Sequence, residues 1–326
     1  MSFTNQQNIA LPIAAWLADD TYDHSEDPYE ISVTSLIKPI KVLVLSSRVA
    51  PEDAIQDLSG LFKSRMGTAL HDAIEATWTS GRYKEALKKL GYPKRVIERI
   101  KVNPKPEEIV EGDIPIFLEQ RSKKKVGKWT ISGKYDIVFD GQVQDIKSTS
   151  AFGYHKDNKI DAFKKQASLY RWLNSNIIED DFVGIHYLIT DYSAGQDYRE
   201  GYPPHATPTM NYELASISEV NSFVQRRIAD IERLWDADES EMERCNEDDL
   251  WLDPPKYKYY KDPAKKARST KNFDDMSSAI RYKNEKGKGA GVIDVVYGEV
   301  KACRYCPAFY ACKQKDEYLA TGQLKV

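Results

Sequence analysis

The sequence predicts an α/β fold with a mixed central sheet flanked by helices. Three observations carry this reading. Apolar residues recur at helical spacing over 53–79, three strand-like segments follow between 114 and 148, and an amphipathic segment then leads into a short apolar run ending at residue 190. The order is helix, three strands, helix, strand (αβββαβ), which is that of an α/β sandwich.

Taken in order, residues 1–52 read as a lead-in and docking segment. It is polar and acidic after "IALPIAAWL", and "ISVTSLIKPIKVLVLSSR" (31–48) pairs a Ser/Thr cap signal with an apolar stretch suited to a short strand or helix. Residues 53–240 read as the core. Two helices are expected over 53–79, broken near Ser59 and Gly60, the second covering about 64–79 with His71 and Glu75 on one face. "IPIFLEQ" (114–120), "KWTISGKYDIVFD" (128–140) and "QVQDIKS" (142–148) form an antiparallel meander. "DAFKKQASLYRWLNSN" (161–176) is an amphipathic helix and "DFVGIHYLIT" (181–190) a buried strand. A long helix over about 213–236 carries Ile217, Val220, Val224, Ile228, Ile231 and Trp235 on its apolar stripe. Residues 241–326 are rich in Pro, Lys and Tyr and read as an irregular lobe ending in clustered cysteines.

"DIVFDGQVQDIKS" (136–148) is the most informative stretch. Asp140-Gly141 is a strong signal for a two-residue type I′ turn. With that turn, Phe139 pairs with Gln142, Val138 with Val143, and Asp136 with Asp145. The two carboxylates then stand opposite each other on one face, and Lys147 projects from that face too. Like charges opposed across a ladder are destabilising. A divalent cation held between them is one explanation; a solvated face with Lys147 as counter-ion is the other.

A net charge of −3 on 326 residues excludes a uniformly basic coat but not local basic patches. Three patches stand out: 84–101, "RSKKKVGK" (121–128) and "PKYKYYKDPAKKARSTKN" (255–272). The last interleaves Tyr257, Tyr259 and Tyr260 with lysines and adds Lys265 and Lys266, a composition suited to stacking on bases while holding phosphates. Solvated faces explain such runs as well. No apolar run reaches the ~20 residues of a membrane span, and the N-terminus lacks the order of a signal peptide. A cytoplasmic protein with no membrane contact is expected.

Cys303, Cys306 and Cys312 lie in "CRYCPAFYACKQ", spaced C-x2-C-x5-C, and Cys245 is the remaining cysteine. In a reducing compartment such crowding suggests metal rather than disulfides. Three thiolates need a fourth ligand, and Cys245 leaves none over. Zinc and iron–sulfur both take four thiolates.

His71 in "GTALH", Asp136, Asp145-x-Lys147, and Gln166 and Tyr170 in "QASLY" occur in the order and on the elements of the PD-(D/E)XK nuclease superfamily. The chain resembles its RecB-like branch, which includes the AddB nuclease domain, CRISPR-adaptation nucleases and many phage-encoded relatives. The resemblance spans roughly residues 31–190, and the C-terminal cysteines extend it.

It implies a restriction-endonuclease-like core. His71, Asp136, Asp145 and the Ile146 carbonyl would hold Mg²⁺ or Mn²⁺, and the imidazole tilts the choice toward Mn²⁺. Lys147 would position the attacking water and offset charge on the phosphate. Gln166 and Tyr170 would orient the lysine and touch the DNA strand. Glu119 would complete the metal shell or sense a second ion, and Arg65 and Lys134 would contact phosphates.

The cysteines resemble those that bind a [4Fe–4S] cluster, with Zn²⁺ the alternative. In the AddB and CRISPR-adaptation members the first cysteine precedes the core, whereas Cys245 follows it, so the fourth ligand stays open. The implied activity is a metal-dependent deoxyribonuclease, an exonuclease on DNA ends or single strands in recombination, repair or phage DNA processing, with a helicase, recombinase or CRISPR-adaptation partner. The alternatives are a non-catalytic DNA-binding or assembly protein and a sequence- or structure-specific endonuclease.

Overall fold

Asp140 and Gly141 adopt φ of 49° and 79°, the left-handed pair that a type I′ turn requires. Phe139 pairs with Gln142, Val138 with Val143 and Ile137 with Gln144. Continued by one residue, this register sets Asp136 opposite Asp145. The computed structural model describes residues 2–19, 25, 27–50, 54–156, 159–196 and 199–325. It divides into two units, one formed by residues 3–38 and 56–232, the other by 1–2, 39–55 and 233–326.

In the first unit the hairpin lies inside a six-stranded mixed sheet. The spatial order is Thr209–Glu213, Phe182–Ile189, Gln142–Thr149, Ile137–Phe139, Ile114–Leu118, Ile100–Val102. Gln142–Thr149 and Phe182–Ile189 are parallel, as a crossover through the helix Ile160–Leu173 demands. Ile114–Leu118 runs antiparallel to Ile137–Phe139 and parallel to Ile100–Val102. The helix Phe62–Thr79 precedes these strands in a mixed α/β unit, but six strands rather than three lie between it and Ile160–Leu173, and the strand expected over 128–140 is split into Trp129–Lys134, in a second sheet, and Ile137–Phe139. Val138, Val143, Val183 and Ile185 are fully buried at its centre.

A second sheet orders Glu30–Ser32, Trp129–Lys134 and Arg121–Val126, the first two parallel and the last two antiparallel. The helix Ile160–Leu173 lies against it because Gly133 offers no side chain. A Cβ there would meet Leu173, Val33 and Tyr170 at 2.8, 2.9 and 3.0 Å, closer than packed atoms approach.

Several expectations are corrected. Within 1–52, Ile31, Val33 and Leu36 are buried, and residues 3–38 belong to the first unit while 39–55 belong to the second. Residues 1, 20–24, 26, 51 and 52 of that segment, and residue 53 after it, lie outside the described residues. The first unit ends at residue 232 and the second resumes at 233. The first of the two helices expected over 53–79 is absent; a 3₁₀ turn, Leu58–Leu61, stands there, with Asp57 accepting from the Ser59 amide at 3.1 Å. The patch 121–128 contains the edge strand Arg121–Val126, whose exposed lysines also guard the edge against strand pairing. The patch 84–101 forms two short helices, Tyr83–Lys89 and Lys94–Arg99, that pack Tyr83 with Ile100 and Ile116.

The second unit is more regular than expected. It holds a three-stranded antiparallel sheet in the order Lys271–Phe273, Lys256–Tyr260, Val292–Val296. The helix Met276–Glu285 covers one face of it, bringing Tyr282 within 5.4 Å of Tyr259. No helix among the described residues is long and apolar enough to cross a membrane.

Candidate metal centre

The sheet and one helix deliver the site. His71 comes from the middle of Phe62–Thr79, Glu119 follows Ile114–Leu118, Asp136 precedes Ile137–Phe139, and Asp145 and Lys147 lie within Gln142–Thr149. Among the described residues, His71, Glu119 and Asp136 are the only group to bring three ligand atoms within 4.8 Å of one another.

His71 Nδ1 lies 3.5 Å from Asp136 Oδ2 and 3.7 Å from Glu119 Oε1, and its Nε2 lies 3.1 Å from the Ile146 carbonyl oxygen. The Ile146 amide donates to Asp136 Oδ2 at 2.9 Å. Glu119 adopts φ 52°, a conformation that costs a non-glycine residue about 1 kcal/mol or more. Its amide donates to the Asp136 carbonyl at 3.0 Å, which ties the two acids together through the main chain. Lys134 Nζ lies 2.7 Å from Glu119 Oε2.

Asp145 is only 4% exposed. Its Oδ2 is buried without a well-formed hydrogen bond, and Lys147 Nζ lies 2.6 Å from it. The same ammonium stands 5.1 Å from the centre of the Phe163 ring.

These contacts polarise the site. Burial, then the charge of Asp145, pushes the Asp136 carboxyl up to about 6. The hydrogen bond with Glu119 raises the His71 imidazole against the opposing effect of burial, and Asp136 adds to the rise. Burial works to raise the Glu119 carboxyl, but hydrogen bonds from His71 and Lys134 outweigh it and hold it low. Burial likewise opposes the Lys134 charge, which Glu119 more than restores. Two carboxylates, an imidazole and a carbonyl therefore converge, while Asp145 lies outside that group of three, paired with Lys147 and with one buried oxygen lacking a well-formed hydrogen bond. That donor set fits a hard divalent cation.

The other expected residues fall in different places. Gln166 donates to the Tyr170 hydroxyl at 2.8 Å. Tyr170 is 4% exposed, its ring facing Tyr135 edge-on, so it packs within the unit and does not present itself to a strand of DNA. Arg65 donates through Nε to the Leu17 carbonyl at 3.0 Å. Lys134 is engaged with Glu119.

In the second unit Tyr257 and Tyr259 share the face that the helix covers. Tyr259 is 1% exposed, its hydroxyl donating to the Ala290 carbonyl, which removes it as a stacking surface. Lys265 is exposed, and Lys266 pairs with Asp294 at 2.8 Å.

The four cysteines are half-buried in the second unit, Cys245 and Cys303 packing against Leu250, Val300 and Leu324. Burial pushes the Cys245 thiol up to about 12, with Asp249, Cys306 and Cys312 adding to it. It pushes Cys303 to about 11, again with Cys306 and Cys312. The four thiols thus share one electrostatic neighbourhood.

No family model matches the chain, and no curated protein sequence matches it. Among solved structures, the chain is similar to SSO0001 at 14% identity, covering 67% of this chain and 83% of that one, with a TM-score of 0.41. It is also similar to a phage-related exonuclease from Haemophilus somnus 129PT at 16% identity, covering 39% and 63%, with a TM-score of 0.27.

Proposed function

We propose that this protein is a metal-dependent nuclease that hydrolyses phosphodiester bonds in DNA, acting as an exonuclease on ends or single strands. The observation that carries the reading is the meeting of His71, Glu119 and Asp136 ligand atoms within 4.8 Å beside the buried Asp145 and Lys147 pair. The order of the PD-(D/E)XK motifs along the chain supports it.

His71, Asp136, Asp145 and the Ile146 carbonyl would hold Mg²⁺ or Mn²⁺, with Glu119 at their side. Such an ion polarises a phosphodiester and acidifies a bound water. Lys147 pairs with Asp145 and keeps positive charge where the phosphate becomes more anionic. The Ile146 amide and His71 fix the Asp136 carboxylate from two directions. Gln166 and Tyr170 act from behind, on the helix that carries Phe163 beneath the Lys147 ammonium. In the second unit, the shared neighbourhood of Cys245, Cys303, Cys306 and Cys312 supports a metal centre, [4Fe–4S] or Zn²⁺.

The test is incubation of the purified chain with labelled linear, circular and single-stranded DNA, with Mn²⁺ or EDTA. Cutting of linear and single-stranded DNA that EDTA stops is expected. Asp145→Ala should abolish cutting while DNA binding persists; cutting that survives this change overturns the assignment, and binding without cutting by the wild type favours a non-catalytic DNA-binding protein.

A further inference from the structure

Lys41 is 3% exposed, on the helix Ile40–Ser46 among the buried Leu43, Val44 and Leu45. A buried ammonium is costly unless it is paired and hydrogen-bonded. Its Nζ lies 3.1 Å from Glu239 Oε1 and 3.4 Å from Gln314 Oε1. Both partners are themselves buried, at 7% and 2% exposure. Such a pair adds little to stability over apolar residues of the same volume, so its neighbours are informative.

Those neighbours are the cysteines. Gln314 grips Cys245 at both backbone groups: Oε1 accepts from the Cys245 amide at 3.0 Å and Nε2 donates to the Cys245 carbonyl at 2.9 Å. Glu239 grips the segment after Cys312, its oxygens accepting from the Lys313 and Gln314 amides at 2.7 and 3.2 Å. The Cys312 thiol points at Glu239 Oε1, 3.7 Å away. Two side chains thus clasp the lone cysteine at 245 and the last cysteine of the triplet, and Lys41 joins them. A carboxylate beside Cys312 would by itself oppose a thiolate, and Lys41 binds the same carboxylate oxygen.

We propose that Lys41, Glu239 and Gln314 are a positioning device for a four-thiolate metal centre, docking Cys245 as the fourth ligand and, through Lys41, offsetting the carboxylate that stands beside Cys312. The inference rests on the reading of the cysteines as a metal centre. Residues behind the ligands of a metal commonly tune its affinity about 10- to 100-fold.

The experiment uses the full chain purified without oxygen, with iron and zinc quantified and the rate of metal loss to excess chelator followed well below the melting temperature. Lys41→Met, Gln314→Leu and Lys41→Arg are compared with the wild type. Lys41→Met and Gln314→Leu should release metal about 10- to 100-fold faster, with unchanged far-ultraviolet circular dichroism, and Lys41→Arg should fall nearer the wild type. Should Lys41→Met fail to fold, Gln314→Leu carries the test, because it keeps the Lys41–Glu239 ion pair and removes the clasp on Cys245 together with the 3.4 Å contact to Lys41. Wild-type release rates in the variants overturn the positioning role while the centre stands. A wild type free of iron and zinc in these thiols overturns the centre, and the device with it.

Discussion

Glu119 and Lys134 form an ion pair of 2.7 Å, while the other carboxylate oxygen of Glu119 lies 3.7 Å from His71. One acid is shared between an ammonium and an imidazole. A divalent ion at His71 and Asp136 would compete with Lys134 for that acid. Glu119→Gln should weaken Mn²⁺ binding by about tenfold or more. Lys134→Met should strengthen it several-fold by removing a like charge from the ion's surroundings. Calorimetric titration of both variants at one ionic strength checks the opposite signs.

Asp136 gives a pH dependence whose direction is fixed. Its carboxyl stands at about 6 in the folded chain against an ordinary 3.8, so the folded state holds the proton more tightly than the unfolded one. The corresponding stability is fully present below about pH 4 and is lost as pH rises through about 6. His71, also raised, acts in the same sense. Metal-free protein should therefore lose on the order of 3 kcal/mol across this window, and saturating Mn²⁺ should restore it at neutral pH. Asp136→Asn should raise the Tm of the metal-free protein at pH 7.5 and abolish its Mn²⁺ response in thermal melts.

Gly133→Ala tests the close approach of helix and sheet. The added methyl would press on Leu173, Val33 and Tyr170, and overpacking of this kind costs about 1–3 kcal/mol. A lower denaturant midpoint with an unchanged m-value is expected. Because Tyr170 is one of the displaced neighbours, cleavage should fall more steeply than stability alone accounts for.

DNA binding should separate two neighbouring residues of the second unit. Tyr259→Ala empties a buried site and should destabilise by about 3–5 kcal/mol. Lys265→Ala should leave the melting temperature alone and reduce the slope of log K against log salt by about 1. Fluorescence anisotropy with a single-stranded oligonucleotide across a salt series reads both.

The hairpin was legible because its determinants are local. Asp140 and Gly141 dictate the turn, the turn dictates the register, and the register places Asp136, Asp145 and Lys147. The mixed sheet followed from periodicity, since the parallel strand Phe182–Ile189 announces itself as a short apolar run after an amphipathic helix. What sequence could not supply was contact between distant segments. Tyr257 and Tyr259 look available beside lysines, yet strand alternation points both at a helix that begins at Met276. The weight of Glu119 in the site depends on a left-handed residue that neither glycine nor asparagine marks. Lys41 and Glu239 meet only after nearly two hundred residues of intervening chain have folded, and no local pattern distinguishes a buried lysine from a solvated one.

The type I′ turn has a kinetic corollary. Tight hairpins close in roughly 1–10 μs, whereas parallel crossovers wait for long loops to be ordered. The acids at 136 and 145 therefore meet while much of the nascent chain is still unstructured, and they meet as repelling neighbours. Manganese or magnesium added during refolding should speed formation of this hairpin as well as stabilise the finished molecule, so the ions would act as folding agents before they serve any chemistry.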